Sequence, residues 1–335
     1  MRDEIRSDMI DAMMSDVERV EQLLMKHWDI RPTRIQALST GHTNKTYRVD
    51  HRSRASVLRV SWRGKSVEQV RREASMLDHL GPARELPTLP RFQSTVNAQP
   101  YAQDEDGSWL HLFDHIEGTP GLPDAAEPAT VDAMRTLARL HAAMATLPAN
   151  AHSPLAWLNE RYARVAARPA SPLPAALLED YDLLLQRIGT HFAAAETWIS
   201  GPTHWLHSDY HAGNLLFADG AVTGVLDFDD VGQGAQWLEM SFALFALARD
   251  ASNEDRFTFD VGLWDLGLHA YTGMQPERDA PGLMQLRRDA LMDLFCADQV
   301  LIHLEAAQRG LWMPGPGMGF LACWRQLLAS TPPIR

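Results

Sequence analysis

The sequence reads His207-Ser-Asp-Tyr-His-Ala-Gly-Asn214 in its second half, and Val225-Leu-Asp-Phe-Asp-Asp230 follows shortly after. Two apolar runs lie between the polar residues of these stretches, and they are joined by Asp219-Gly220. An Asp-Gly pair between apolar runs is typical of a β-hairpin with a type I′ turn. Such a hairpin would bring Asp227 back beside the polar loop that precedes it.

The polar side chains of these stretches are of the types that phosphoryl transfer requires. A carboxylate has to orient and deprotonate the acceptor hydroxyl, and oxygen ligands have to hold Mg²⁺ against the nucleotide phosphates. The Asp-x-x-x-x-Asn spacing predicts Asp209 as the base and Asn214 as one metal ligand, and Asp227 as another. The alternative is that all three are ordinary turn residues, since Asp and Asn are common in loops.

The chain ahead of this loop predicts an antiparallel sheet with one inserted helix. Helical spacing of apolar residues indicates an opening amphipathic helix over residues 3–28, and residues 30–62 indicate three short strands. Residues 64–80 return to helical spacing, and residues 90–113 contain two further strand-like pieces around a turn at 104–107. Five strands and one inserted helix, preceded by the opening helix, are therefore expected in this part.

Clustered Pro and Gly at Glu117–Pro123 interrupt both periodicities, and we place the boundary between two lobes there. Residues 1–116 are predicted to form the N-terminal, nucleotide-binding lobe. Residues 117–335 are predicted to form the catalytic and substrate-binding lobe, which is mainly helical apart from the hairpin. The predicted fold class is therefore α+β.

Composition narrows the choice of partner and compartment. The formal net charge of -12, without a run of Lys or Arg, argues against nucleic acid as a partner. The only cysteines, Cys296 and Cys323, are too few for a disulfide framework or a thiolate metal site, which indicates a reducing cytosol. The N-terminus is charged and the apolar stretch Ser241–Ala248 is short, so neither export nor membrane insertion is expected. A cytoplasmic location is predicted; the sequence does not indicate an oligomeric state.

One ion pair is predicted in the first lobe. Residues 57–60 read as a strand that carries Arg59, and the helix at 64–80 has Glu73 within its apolar stripe. A carboxylate on an apolar face needs a cationic partner, and Arg59 is the expected one. Such a pair would bind the phosphates of ATP. The alternative is that both side chains are exposed and unrelated.

The loop and the hairpin resemble the catalytic and metal-binding segments of the aminoglycoside phosphotransferase and choline kinase superfamily. The run Asp227–Gly234 is especially similar to its type II homoserine kinase and stress-response kinase branches, and the resemblance extends over about residues 35–248. It implies a two-lobed, protein-kinase-like fold with ATP and Mg²⁺ as cofactors. It also implies Asp209 as the catalytic base, with Asn214 and Asp227 as magnesium ligands.

Three positions depart from the pattern of this superfamily. Arg59 stands in the place of the phosphate-binding lysine, Ser208 where a glycine is usual, and Glu239 where an aspartate usually supports the catalytic loop. The geometry of the loop is therefore expected to differ. The resemblance implies that His207 and His211 mostly pack the loop.

The resemblance also marks further nucleotide contacts. The loop after the first strand, with Gly41 and Asn44, lies where such proteins cover the triphosphate. The segment that ends with Asp114 and Ile116 resembles the hinge whose backbone meets adenine. Each feature has an ordinary alternative, namely a hairpin loop for the first and an edge strand for the second.

The predicted function is ATP- and Mg²⁺-dependent transfer of the γ-phosphate to a hydroxyl of a small molecule. An amino alcohol or an aminoglycoside-like compound is the expected acceptor if the acidic residues Asp229 and Asp230 hold an amine. The alternatives for these two residues are a second metal ion, solvation or support of the loop, and we rank the last two first. Two alternatives stay open: a protein Ser/Thr kinase of the stress-response type, and a nucleotide-binding regulator without catalysis. The resemblance places the acceptor pocket within residues 150–200 and 250–335, where no motif indicates a ligand.

Overall fold

The computed structural model describes residues 16–40, 44–168, 173–274, 284, 287–313 and 319–330. The chain forms two compact units: Met1–Gly81 with Pro90–Ile116, and Pro82–Leu89 with Glu117–Arg335. The main division falls between Ile116 and Glu117. The segment Pro82–Leu89, which the sequence assigned to the first lobe, lies in the second unit because Thr88 exchanges backbone hydrogen bonds with Thr223 and Val225. The roles predicted for the two lobes stay predictions.

The first unit contains five strands and two helices in the part that the structure describes. They are α1 (16–28), β1 (Arg34–Thr40), β2 (Lys45–His51), β3 (Arg54–Val60), α2 (Val67–Leu80), β4 (Ala102–Gln103) and β5 (Trp109–Asp114). The sheet has the order β1-β2-β3-β5-β4, and each neighbouring pair is antiparallel. Leu24 and Trp28 of α1 are buried in one cluster with Leu58 and Leu112 of the sheet. The predicted sheet and inserted helix are confirmed; residues 3–15 of the predicted opening helix lie outside the described residues.

Helix α2 begins at a capping box. The Ser66 hydroxyl accepts a hydrogen bond from the Gln69 N–H at 3.2 Å, and the Gln69 side chain accepts one from the Ser66 N–H at 3.0 Å. This start fixes the face that α2 buries, which includes Val70, Glu73 and Leu77. The sheet side of α2 therefore carries a buried carboxylate, as the apolar stripe predicted.

The second unit is mainly helical. Its elements are β6 (Thr119–Pro120), α3 (Ala126–Met144), α4 (Ala156–Ala166), α5 (Ala175–Leu178), α6 (Tyr181–Ala195), β7 (His204–Leu206), a 3₁₀ turn (Ala212–Asn214), β8 (Leu215–Ala218), β9 (Ala221–Val225), β10 (Gly232–Gly234), α7 (Gln236–Ala248), β11 (Arg249–Asp250), β12 (Thr258–Phe259), α8 (Val261–Thr272), α9 (Arg288–Gln308) and α10 (Phe320–Ala329). The strands β6, β10, β11 and β12 were not predicted, because they are two or three residues long and show no periodicity. None of the described helices is both long enough and apolar enough to cross a membrane.

The hairpin that was predicted from Asp219-Gly220 is confirmed. Strands β8 and β9 pair antiparallel, and Ala218 lies opposite Ala221 across the turn. Asp219 has a φ angle of 52° and Gly220 of 79°, and a type I′ turn requires positive values at both positions. At the open end of the hairpin, the Leu226 N–H donates to the Asn214 carbonyl at 2.8 Å. This bond fixes the chain just before Asp227.

Helix α7 forms the centre of the second unit. It is apolar around most of its circumference, and such a helix is stable only when it is buried on all sides. Phe242 and Phe245 of α7 pack edge-on or tilted against Phe295 of α9, with ring centroids 5.6 and 5.7 Å apart. The buried helix also carries Glu239, so a carboxylate is fixed inside the unit.

Candidate active site

The loop between β7 and β8 brings Asp209 and Asn214 together. The Asn214 Nδ2 donates to Asp209 Oδ2 at 3.0 Å and to the Asp209 carbonyl at 2.9 Å. On the other side, His211 Nε2 lies 3.6 Å from the same carboxylate oxygen. The predicted base and the first predicted metal ligand are therefore neighbours in space.

The hairpin delivers Asp227 to the same place. Leu215, which follows Asn214, pairs with Val225, and the Leu226 N–H bonds to the Asn214 carbonyl. Asp227 itself has a φ of 59°, in the left-handed region that few non-glycine residues adopt and that concentrates at functional sites. The structure therefore brings all three predicted catalytic and metal-binding residues into one region of the second unit.

Charges around Asp209 keep it ionised. Burial disfavours the charged form, but the neighbouring His211 and Arg161 outweigh burial and hold the pKa of Asp209 below its usual range. Burial lowers the pKa of His211, whereas the carboxylates of Asp209 and Asp227 raise it, and the net effect is a raised pKa. A carboxylate with a low pKa is a weak base, so the role predicted for Asp209 would depend mainly on orienting the acceptor hydroxyl.

Glu239 supports the catalytic loop from α7. Its Oε1 accepts a hydrogen bond from the Ser208 N–H, and its Oε2 accepts one from the His207 N–H at 3.2 Å and one from His141 Nε2–H at 2.6 Å. The Tyr271 hydroxyl lies 2.6 Å from the other ring nitrogen of His141. Glu239 thus holds the loop although it departs from the superfamily pattern.

Ser208 is the second departure from that pattern, and its backbone has the conformation of a glycine. It has a φ of 67°, which glycine adopts without strain and serine does not. The bond from its N–H to Glu239 holds the backbone in this conformation. The loop therefore keeps a glycine-like backbone and gains a hydroxyl.

His207 packs the loop and connects it to the hairpin. The imidazole is fully buried; its Nε2–H donates to the Leu226 carbonyl at 2.8 Å, and its Nδ1 accepts from the Asp209 N–H at 3.3 Å. With these bonds the ring connects the residue before Asp227 to the residue that carries the proposed base. The packing role expected for His207 agrees with these contacts.

In the first unit, Arg59 forms the predicted ion pair with Glu73. The Arg59 Nη2 lies 2.5 Å from Glu73 Oε2, and both side chains are buried. Lys65, which sequence reasoning missed, contributes a second buried cation 3.3 Å from the same oxygen. Burial raises the pKa of Glu73, but Arg59 and Lys65 outweigh it and lower this pKa to about 2. Two buried cations thus share one carboxylate.

Lys65 gave no sequence signal because it precedes the capping residue of α2 and belongs to neither the strand nor the helix pattern. Lys65 lies only eight residues before Glu73 in the chain, and it lies outside the helix that carries Glu73. The helical spacing that predicted the Arg59 pair therefore had no reason to include it.

The other predicted nucleotide contacts are placed as follows. Asn44 is buried just before β2, and Gly41 lies outside the described residues. Asp114 ends β5; its carboxylate accepts from Gln93 Nε2 at 2.9 Å, and its N–H donates to the Arg91 carbonyl at 3.1 Å. A contact of Asp114 with adenine would therefore use its carbonyl. The nucleotide contacts of Gly41, Asn44, Asp114 and Ile116 stay predictions.

A pocket lies beside Asp209 within the second unit. Its walls come from helices as well as from the loop: Trp157 of α4, Phe242 of α7, and Phe295, Asp298 and Gln299 of α9 line it. These helices lie within or next to the segments expected to form the acceptor pocket. The individual residues were missed because helical spacing alone does not show which side chains meet Asp209.

Asp298, which lines this pocket, belongs to a buried ion pair. Arg161 of α4 pairs with Asp298, and both side chains are buried. A second carboxylate, that of Asp230, lies 3.5 Å from the same guanidinium group. Asp230 thus contacts a buried cation of α4, a partner that the sequence did not indicate for it.

Two oxygen donors are suited to a metal ion. Because Asn214 Nδ2 is committed to Asp209, the amide oxygen is the atom that could coordinate a cation, and the Asp227 carboxylate is the second donor. Mg²⁺ prefers oxygen ligands, keeps several waters, and usually takes one or two protein groups together with substrate phosphates. An amide and a carboxylate therefore fit a magnesium ion that binds together with a nucleotide.

Comparison with known proteins gives the family. The model of the APH family, described as the phosphotransferase enzyme family, matches residues 34–287. The chain belongs to this family. This match confirms the predicted superfamily and the predicted enzyme class of phosphotransferase.

Individual relatives agree with this assignment. Homoserine kinase of Neisseria meningitidis serogroup B is 28% identical over 157 residues, which cover 46% of this chain and 47% of that protein. The match thus spans about half the length of this curated relative.

Among solved structures, the amicoumacin kinase hAmiN, in complex with AMP-PNP, Ca²⁺ and Ami, has a TM-score of 0.69 at 13% identity, covering 92% of this chain and 91% of its own. The microcompartment-associated aminopropanol kinase has a TM-score of 0.67 at 17% identity, covering 92% of this chain and 94% of its own. At such identities the likeness shows the fold alone, and it confirms the predicted fold class.

Proposed function

We propose that this protein transfers the γ-phosphate of ATP, bound as its Mg²⁺ complex, to a hydroxyl of a small molecule such as an amino alcohol or an aminoglycoside-like compound. The observation that carries the proposal is the contact of Asn214 with the Asp209 carboxylate, 3.0 Å apart, next to the hairpin that delivers Asp227. A base and two oxygen donors at one point match the needs of phosphoryl transfer.

Asp209 would accept a hydrogen bond from the acceptor hydroxyl and take its proton during transfer. The hydrogen bond from Asn214 fixes the orientation of this carboxylate, and the loop is held from behind by Glu239. The bound Mg²⁺ would neutralise the phosphate oxygens, with the Asn214 amide oxygen and the Asp227 carboxylate as its protein ligands. Catalysis would thus rest on positioning and charge neutralisation.

Arg59 and Lys65 would bind the nucleotide phosphates. Their shared carboxylate, Glu73, fixes both cations in place. A guanidinium group can bind carboxylate and phosphate at the same time, which suits Arg in the position usually held by Lys.

Support for a small acceptor comes from the pocket and from the names of similar proteins. The pocket beside Asp209 is lined by the aromatic rings of Trp157, Phe242 and Phe295, as is usual for small-molecule sites. Two similar proteins are a homoserine kinase and an aminopropanol kinase, and both names denote small compounds that carry an amine and a hydroxyl. These points favour a small molecule over a protein acceptor.

The test is an ADP-release screen of the purified protein with ATP and Mg²⁺ over amino alcohols, aminoglycosides, macrolides, sugars and a generic protein. We expect ADP formation that matches phosphorylated product for at least one small-molecule acceptor. Phosphorylation of the protein alone would instead indicate a protein kinase. Thermal stabilisation by ATP and Mg²⁺ without transfer to any acceptor would indicate a regulator, and either result would overturn the proposal.

A metal-ligand variant adds a second readout. Asp227→Asn removes a charged oxygen donor, so the affinity of ATP should become less dependent on Mg²⁺. Calorimetric titration of ATP at several Mg²⁺ concentrations measures this dependence without requiring turnover. A Mg²⁺ dependence identical to that of the unaltered protein would remove Asp227 from the metal site.

A further inference from the structure

Two residues that line the pocket beside Asp209 each carry a buried polar atom with no hydrogen-bond partner in the described part of the chain. They are the Ser208 hydroxyl oxygen and the Trp157 indole nitrogen, Nε1. Ser208 is 8% exposed and Trp157 is 6% exposed, and both line the pocket. Buried polar groups are nearly always paired in native proteins, so two such atoms in one pocket require an explanation.

Two glycines show that this corner of the pocket is built around Trp157 and Ser208. A Cβ on Gly232 would lie 3.0 Å from Ser208 Oγ and 3.2 Å from Trp157 Cβ, so both residues meet over Gly232. A Cβ on Gly234 would lie 2.4 Å from the Trp157 ring, closer than real Cβ atoms approach. Strand β10, with a glycine at each end, therefore makes room for the indole beside the loop that carries Asp209.

The chemistry of the two atoms defines what would satisfy them. An indole N–H can only donate a hydrogen bond, whereas a serine hydroxyl can donate and accept. A hydroxyl group of a ligand can both accept and donate a hydrogen bond, so it matches an indole donor and a serine hydroxyl. The carboxylates of Asp209 and Asp298 line the same pocket, so a neutral oxygen is favoured over an anionic one.

We propose that Ser208 and Trp157 are specificity-determining residues that bind a second hydroxyl of the acceptor, next to the hydroxyl that Asp209 orients. This inference rests on the proposed function and narrows its substrate class to compact acceptors with two hydroxyl groups. The rings of Phe242 and Phe295 would contact the carbon skeleton between them. Ser208 thus gives the acceptor pocket a polar group that a glycine at this position would lack.

The test compares 2-amino-1,3-propanediol with 2-amino-1-propanol, which carry the same amine and differ by one hydroxyl. Loss of a hydrogen bond inside a buried site commonly weakens binding about tenfold. We therefore expect kcat/KM for the diol to exceed that for the mono-alcohol by about tenfold. In Ser208→Ala and Trp157→Phe this preference should fall to about twofold or less, mainly through a higher KM for the diol.

Trp324→Phe is the matched control. Trp324 is also buried, and its indole nitrogen likewise has no partner among the described residues, but it lies on α10 and does not line the pocket. The preference for the diol should survive in this variant. If Ser208→Ala does not fold, Ser208→Gly removes the same hydroxyl and suits the φ of 67°.

Failure of this inference can be told apart from failure of the proposed function. Calorimetric titration of the two alcohols measures the preference for the diol even if no phosphate is transferred. Equal affinity for both alcohols, or a preference that persists in both pocket variants, would overturn the inference. The inference would be supported if the original protein bound the diol about tenfold more tightly than the mono-alcohol and both variants lost this preference. This result would support it even if ADP release failed in every assay.

Discussion

Replacing Glu239 by Gln should both destabilise the second unit and slow phosphoryl transfer. Glu239 is 3% exposed, and its two oxygens accept hydrogen bonds from Ser208, His207 and His141. Gln has the same shape but replaces one of the oxygens by an NH₂ group. In either orientation of the amide, this group faces a backbone N–H of the catalytic loop, so a donor meets a donor.

The size of the effect follows from these contacts. One buried N–H loses its acceptor, which costs about 1–3 kcal/mol, and the remaining bonds are no longer assisted by a full negative charge. We expect the free energy of unfolding to fall by roughly 2–4 kcal/mol. Since the same bonds hold Ser208 at a φ of 67° directly before Asp209, kcat should fall as well.

The assay is urea unfolding followed by circular dichroism, together with steady-state kinetics on an acceptor found by the screen. Glu239→Asp keeps the charge but shortens the side chain by one methylene, so it should lie between the original protein and Glu239→Gln. An unfolding free energy within about 0.5 kcal/mol of the original, with unchanged kcat, would refute the reasoning, since changes of that size are usual for surface substitutions.

Three further predictions concern stability and nucleotide affinity. Burial raises the pKa of Asp293 to about 6, so its contribution to stability is present below an unfolded pKa of about 3.9 and is lost as the pH rises through 6. Asp293→Asn should therefore stabilise the protein by about 1–3 kcal/mol at pH 7 and by little at pH 4. Thermal unfolding at both pH values measures this, and a loss of stability at pH 7 would contradict it. Arg59→Met removes one of the two cations on Glu73 and should weaken ATP binding about tenfold or more by calorimetry; unchanged affinity would exclude a phosphate contact. Gly118→Ala would place a Cβ 2.6 Å from Thr223 Oγ1 at a φ of 144°, so it should lower the free energy of unfolding by about 2 kcal/mol or more, and an unchanged urea midpoint would contradict this.

The sequence predicted those features of the site that depend on neighbours in the chain. The turn at Asp219-Gly220 needs a positive φ at both positions, and an Asp-Gly pair predicts such a turn. Once this hairpin is expected, the meeting of Asp227 with Asn214 follows. The apolar stripe of α2 likewise predicted that Glu73 is buried, so that it needs a cation on the adjacent strand.

Features that depend on distant segments could not be predicted. Arg161 and Asp298 form a buried pair across 137 residues, and each sits in a helix whose spacing also suits an exposed charge. Trp157 reaches the catalytic loop only because Gly232 and Gly234 leave space for its ring, and a glycine does not indicate which residue uses that space. The residues that line the pocket beside Asp209 therefore follow from the structure and not from the sequence.

The most direct test of the central claim is the rate of phosphoryl transfer in Asp209→Asn, measured in a single turnover with bound ATP and Mg²⁺. Asp219→Asn is the matched control, because it makes the same change of charge at a turn where Asn-Gly fits as well as Asp-Gly. We predict that Asp209→Asn binds ATP with an affinity within about twofold of the original but transfers phosphate slower by about 10²–10⁴-fold, whereas Asp219→Asn is unaffected. An unchanged transfer rate in Asp209→Asn would contradict the account.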